Sequence, residues 1–300
     1  MSDFTHDFWS WYVAVITVVS IIACAVLLKA MSTRKLAPDQ KVETMGHVWD
    51  EDLAEYNNPL PNWWRWLFYI TIWFALIYLV LYPGLGRFGG TLDWSSTGQY
   101  EKEMARAEDR FGPLYARYAA MDITAVAADP QAREMGQRLL LNHCAQCHAS
   151  DARGSRGFPN LADGDWLWGG DPQAIKTSIA NGRAGVMPPM GGALGGEGTK
   201  DVAHYVMSLS GKTHDTLRAA RGQELFATNC AVCHGADGKG NPSLGAPDLT
   251  DDIWLHGRGQ SAIIEAITQG RQNAMPAWGQ FLSEDKVHLL AAYVWGLSNK

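Results

Sequence analysis

The 300-residue chain is poor in several things at once. Charged residues make up only 19%, and the basic ones are the minority, 25 Lys and Arg against 31 Asp and Glu, for a net charge of −6. Binding to nucleic acid through its phosphates needs a basic surface, so that class of partner is excluded. Cysteine is scarce, five in all, which excludes a disulfide-stapled scaffold. Proline is also low, at 13, while 47% of the residues are apolar. A chain that apolar can offset the entropy of ordering, so it is not a disordered one. The length is that of about two soluble domains.

Charge is missing altogether from two runs, residues 8–28 between Asp7 and Lys29, and residues 66–86 between Arg65 and Arg87. At ~1.5 Å per residue, each crosses roughly 30 Å as a helix, the hydrocarbon thickness of a bilayer. The buried helix of a soluble protein is usually shorter and broken by charges. The first run has no basic residue before it and no small-residue cleavage pattern before Lys29, so it is expected to stay as an anchor. Cys24 within it reads as a small apolar residue. Lys29, Arg34, Lys35, Lys41 and Arg65 fall in the loop 29–65, and none precedes the first run. The positive-inside rule then places this loop in the cytoplasm and everything from Arg87 onward outside it, in a periplasm if the cell is Gram-negative. Residues 1–86 form the expected membrane anchor, and 87–130 a periplasmic linker with a helix at about 98–120.

After Pro130 the chain repeats itself. His143-Cys144-Ala145-Gln146-Cys147-His148 answers Asn229-Cys230-Ala231-Val232-Cys233-His234. Gly136-Gln137 answers Gly222-Gln223, Pro159-Asn160-Leu161 answers Pro247-Asp248-Leu249, and Asn181-Gly182-Arg183 answers Gln269-Gly270-Arg271. Met187-Pro188 matches Met275-Pro276, and Tyr205-Val206 matches Tyr293-Val294. This is one domain copied in tandem, 131–212 and 213–300, joined around residues 210–216. Helical patterning covers 131–143 and 217–229 up to the cysteines, and 199–209 and 283–297 at the close. The Gly- and Pro-rich stretches between carry almost no strand signal. Gly in a helix costs up to roughly 1 kcal/mol against Ala, so Gly136 and Gly222 mark a close approach, with Tyr205 and Tyr293 as the expected neighbours.

Cys-x-x-Cys-His outside the cytoplasm is the attachment signature of haem c. Two thiols on one helical turn reach the two vinyl groups, and the following imidazole meets the iron. A disulfide redox pair has no need of the His, and a zinc site would need both Cys pairs to converge. Two covalently bound haem c groups are therefore expected, on Cys144 and Cys147 and on Cys230 and Cys233, with His148 and His234 as axial ligands. Met187 and Met275 are the repeat-equivalent choices for the sixth position. Each is expected to serve the haem of its own copy; exchange across the tandem, which would require the two domains to interlock, is the rival. Met190 and His204 lack counterparts and read as structural; His143, His214, His256 and His288 read as surface or helix-end residues. Asp151, Asp163, Asp165, Asp251 and Asp252 read as solvated turn residues. Iron closed by His and Met suits outer-sphere electron transfer, and no catalytic constellation is evident.

The run Val48-Trp49-Asp50-Glu51-Asp52-Leu53, then Asn58-Pro59-Leu60-Pro61-Asn62-Trp63-Trp64 ahead of a spanning helix, with two Cys-x-x-Cys-His domains behind it, resembles the CcoP (FixP) family, dihaem subunits of cbb3-type cytochrome c oxidase. Together with the two uncharged runs, it gives an all-α chain with two N-terminal transmembrane helices and two tandem cytochrome c domains; some relatives have one spanning helix, so the first run, 8–28, is a variable feature of the family. The resemblance implies electron flow from a donor cytochrome c to the subunits CcoO and CcoN of a proton-pumping oxidase that reduces oxygen to water. The chain itself would be no enzyme. Segment 49–64, stiffened by Pro59 and Pro61, is the expected contact with other membrane subunits. The alternatives are a dihaem cytochrome of another respiratory complex and a membrane-bound dihaem peroxidase, which needs an iron with a displaceable distal ligand.

Overall fold

The computed structural model describes residues 6–32 and 41–299. Arg34 and Lys35, two of the basic residues in the orientation argument, lie outside the described residues. The chain divides into two compact units, 1–108 and 109–300.

In the first unit, α1 (Asp7–Ser32) takes up the first uncharged run, with Asp7 in its first turn and Lys29 in its last, each complementing the helix dipole. α2 (Asn62–Leu81) takes up the second, several residues earlier than the uncharged window suggested. Pro61 precedes its first residue, so Trp63 and Trp64 are helical; Pro83 stops it, and residues 82–86 are not helical. Both helices are long and apolar enough to span a membrane, and almost none of their surface is buried in the chain. They pack on each other. Arg87, just beyond α2, pairs with Asp7, and its N–H donates to Ser10 Oγ at 2.9 Å. The start of α1 and the end of α2 thus lie together, as two antiparallel spans require. The loop between them carries a hairpin that the sequence reading lacked, β1 (Thr44–Trp49) against β2 (Leu53–Tyr56), with Trp49 opposite Leu53.

α3 (Ser96–Ala119) is the expected linker helix and runs into the second unit. There follow α4 (Ile123–Ala128), α5 (Pro130–His143), α6 (Ala145–His148), α7 (Pro172–Asn181), β3 (Arg183–Met187) and α8 (Gly191–Leu209). The second copy supplies α9 (Thr216–Asn229), α10 (Ala231–His234), α11 (Gln260–Gln269), β4 (Arg271–Met275) and α12 (Glu284–Ser298). Asp129, Asp171 and Asp215 cap α5, α7 and α9 by accepting from backbone N–H groups of the first turn.

The two copies are interlocked. β3 and β4 pair antiparallel, from Arg183 opposite Met275 to Met187 opposite Arg271. Past this ribbon each chain crosses to the other copy. The first core joins α4, α5 and α7 to α12, with Val126, Leu140, Ile175, Leu289 and Leu290 buried in it. The second joins α9 and α11 to α8, around Val202, Val206, Phe226, Ile263 and Ile267. The boundaries 131–212 and 213–300 therefore describe the sequence repeat, while each packed core is built across them. Gly136 of α5 lies against Tyr293 of α12, and Gly222 of α9 against the backbone of Asp201 and Val202 of α8. Tyr205 instead packs on Phe226, ring centroids 5.2 Å apart. The exchange also buries His288, read from sequence as a surface or helix-end residue: it lies near the start of α12, which packs on α4, α5 and α7, and its Nε2 lies 3.0 Å from the Met121 carbonyl.

Candidate haem sites

Each Cys-x-x-Cys-His begins where a helix ends. Cys144 closes α5 and Cys230 closes α9, and their carbonyls accept from the N–H groups of His148 and His234 at 2.9 and 3.0 Å. That one-turn geometry places Cys144, Cys147 and His148 on one short helix, and likewise Cys230, Cys233 and His234. The next residue leaves the helix with positive φ, Ala149 in one copy and Gly235 in the other. The chain then turns back, so that the His148 and His234 carbonyls each accept from a glycine N–H, Gly154 and Gly240, at 2.8 Å.

Both histidines are 8% exposed. Nδ1 of His148 lies 3.0 Å from the Pro159 carbonyl, and Nδ1 of His234 lies 3.2 Å from that of Pro247. A proton on Nδ1 donated to a carbonyl fixes the tautomer and leaves Nε2 as the basic nitrogen, the arrangement found behind metal-bound imidazoles. Burial also holds the His234 pKa below its ordinary value, favouring the neutral ring. The cysteines are unpaired. Cys144 and Cys230 are half-buried against different cores, so the two Cys pairs do not converge as a zinc site would require. Burial pushes the Cys144 thiol up to about 11. These residues fit haem c: two thiols and a buried imidazole one helical turn apart, the ring anchored at Nδ1 so that Nε2 is left to bind.

The methionines pack across the repeat, each against the core that holds the other copy's cysteines. Met275 packs on the first core, with Cys144, Leu161, Trp166 and Trp278. Met187 packs on the second, with Cys230, Leu249 and Trp254. Own-copy pairing followed from chain order, but the ribbon carries each Met across. Two glycines permit the crossing. Gly182 (φ +71°) and Gly270 (φ +72°) adopt left-handed backbone, and a Cβ on either would collide with the carbonyl of Met275 or Met187 respectively. Met190 also lies at the second core, its N–H donating to the Ile267 carbonyl at 2.8 Å. His204 accepts from the Asp215 N–H at 3.1 Å, a structural role as expected.

Sequence reasoning missed the Pro159 and Pro247 carbonyls as ring anchors, though both prolines stood in matched positions of the repeat. The aspartates do cap turns: Asp163 Oδ1 accepts from the Asp165 N–H, and Asp251 Oδ1 from that of Ile253. Asp165, however, is not simply solvated. Burial, with Asp251, Asp163 and Asp248 nearby, raises its carboxyl from 3.8 to about 6.

Comparison with known proteins agrees with this architecture. Residues 41–89 match the N-terminal domain of cytochrome oxidase-cbb3, FixP. Residues 131–206 and 217–294 each match cytochrome C oxidase, cbb3-type, subunit III. The chain is 54% identical over 299 residues to the Cbb3-type cytochrome c oxidase subunit CcoP of Rubrivivax gelatinosus, covering 99% of this chain and 97% of that protein. It is 38% identical over 273 residues to subunit CcoP of Cereibacter sphaeroides, covering 85% and 94%. Subunit FixP of Rhizobium meliloti is 40% identical over 273 residues, with the same coverage, 85% and 94%.

Proposed function

Since the chain belongs to the CcoP (FixP) family of cbb3-type cytochrome c oxidase subunits, we propose that it carries electrons from a donor cytochrome c, through two covalently bound haem c groups, to CcoO and then CcoN. Haem c supplies one-electron chemistry between ferric and ferrous iron. The chain's residues hold and enclose it. Cys144 and Cys147, and Cys230 and Cys233, anchor the two groups. His148 and His234 would offer Nε2 to the iron, their rings oriented by the Pro159 and Pro247 carbonyls at Nδ1. Met275 closes the first site and Met187 the second, each delivered by the ribbon from the other copy.

The observation that carries the reading is this doubled arrangement, a buried imidazole in each core with a repeat-equivalent methionine packed into the same core. With a His and a Met to hold each haem, neither iron would be left open to oxygen or peroxide, and reduction of oxygen would belong to another subunit. The basic residues Lys29 in the last turn of α1, Lys41 between the spans and Arg65 in the first turn of α2 support a cytoplasmic loop and haem domains in the periplasm of the bacterial inner membrane. Contacts with CcoN and CcoO fall to the spanning helices and to segment 49–64, whose hairpin leaves Trp49, Leu53 and Tyr56 exposed. A redox titration of the purified holoprotein tests the reading. Two one-electron haem c waves are expected, with no peroxide turnover by the reduced protein; a single wave, or turnover, refutes it.

A further inference from the structure

Among the described residues, one buried side-chain nitrogen or oxygen has no hydrogen-bond partner: Nε of Arg271. An orphaned buried donor on a charged group is costly and calls for an acceptor. Arg271 stands directly opposite Met187 in the ribbon, at the end that enters the second core. Its side chain is 20% exposed; Nη2 pairs with Glu265 Oε1 at 3.1 Å, and Nη1 reaches its neighbour's carbonyl, Gly270, at 3.4 Å. The guanidinium is held in place while Nε faces nothing in the chain.

Its repeat twin shows what is missing. Arg183 stands opposite Met275 at the other end of the ribbon. Arg183 Nε donates to Ser178 Oγ at 2.8 Å, and the guanidinium lies over the Trp168 ring, 5.1 Å from its centroid. The repeat partner of Ser178 is Ala266, which has no hydroxyl, and that of Trp168 is His256. The first site therefore satisfies its arginine from within the chain, and the second does not.

We propose that Arg271 is a positioning residue for the second haem, its Nε donating to a haem propionate, and that the first site has no equivalent bond. The proposal rests on the assignment of haem to Cys230, Cys233 and His234 with Met187 as the sixth ligand. A carboxylate is the acceptor that a buried guanidinium Nε–H beside the proposed sixth ligand favours, because the bond is charge-assisted. The contact has an electrostatic consequence. Neutralising a propionate next to the iron disfavours the ferric form, so the arginine raises the potential of this haem alone.

The test uses the full-length holoprotein, with both midpoint potentials measured and the propionate bending band followed by resonance Raman. Arg271→Gln is expected to lower the potential of the haem on Cys230 and Cys233 by about a tenfold change in ferric-to-ferrous ratio, ~59 mV for one electron, and to shift its propionate band. Ala266→Ser keeps the charge but offers Arg271 the internal partner that its twin has; it should shift the same band and lower the same potential by less. Ala266→Ser also guards against misfolding of the glutamine variant, since it only restores the hydroxyl found in the first copy. An unchanged band and potential in both variants overturns the proposal, as does a shift confined to the haem on Cys144 and Cys147. Absence of covalent haem at Cys230 and Cys233 in the unsubstituted protein would overturn the underlying haem assignment instead, and haem content measured beforehand separates the two failures.

Discussion

Replacing Met275 by His tests the interlocked pairing most sharply. Met275 is the last residue of β4, opposite Arg183, and its side chain packs on the core that holds Cys144. The proposed consequence is that the substitution acts on the first haem although it lies in the second copy. Imidazole lacks the thioether's preference for ferrous iron, so bis-histidine ligation lowers the potential. Axial ligands and their surroundings move haem potentials over ~0.8 V, so a fall of roughly 0.2 V is a reasonable scale, more than three decades in the ferric-to-ferrous ratio at ~59 mV per decade. Potentiometry of the holoprotein should show one wave displaced and one in place. Adding Cys230→Ser and Cys233→Ser removes the second haem and identifies which wave moved. The lowered potential should survive in the triple variant. If the remaining haem keeps the unsubstituted potential, each copy ligates its own iron and the exchange is wrong.

Three further outcomes are expected. Asp201, 8% exposed on its side chain, accepts from Arg218 and Arg221 across the α8–α9 contact at 2.8–3.0 Å, so Asp201→Ala should lower the unfolding midpoint in denaturant titration of the holoprotein. Those bonds, led by that from Arg221, hold its carboxyl below the ordinary range, so the stabilisation is present above about pH 4 and lost as pH falls through the depressed value. For Asp165 the sign is opposite. With its carboxyl raised to about 6, the folded form keeps a proton that the unfolded form has released, so stability falls as pH rises from about 4 to 6; thermal melts of Asp165→Asn should lack that decline. Deleting residues 49–62 should release the chain from its partner subunits in mild detergent with both haems still attached, and co-purification of the deleted chain would refute segment 49–64 as the contact.

Most of the local structure was legible because it depends on neighbours in sequence. The two spans show as uncharged runs, α5 and α9 as amphipathic segments ending at cysteine, and the copied domain as matched residues. Two features resisted for different reasons. The hairpin of β1 and β2 and the helices α7 and α11 are short and sit in polar or Gly-rich surroundings, where tertiary packing outweighs propensity. The exchange is a choice between two partners of nearly the same sequence pattern: α12 could close on α9 or on α5 with similar periodicity. It is decided by the β3–β4 pairing, and periodicity carries no information about which distant strand pairs with which. Matched glycines held the one local clue. Gly182 and Gly270 stood at the same repeat position directly before each strand, and left-handed backbone there is what lets the chains cross.

The ribbon also bears on the choice between electron carrier and peroxidase. Met187 and Met275 stand at opposite ends of five paired positions. At ~3.4 Å per residue, their Cα atoms are about 14 Å apart along the strands, fixed by the ribbon's backbone hydrogen bonds. A peroxidase needs one sixth ligand that moves away. Here, moving Met187 pulls on the strand that faces Arg271 and Met275, and so disturbs the distal side of the other site as well. Gly182 and Gly270 tighten the coupling, because each lies against the carbonyl of the opposing methionine. A shared, doubly anchored ribbon would therefore keep both proposed ligand sets in one geometry through oxidation and reduction. That rigidity suits a carrier, whose iron must change charge without changing ligands, and works against a site that must open.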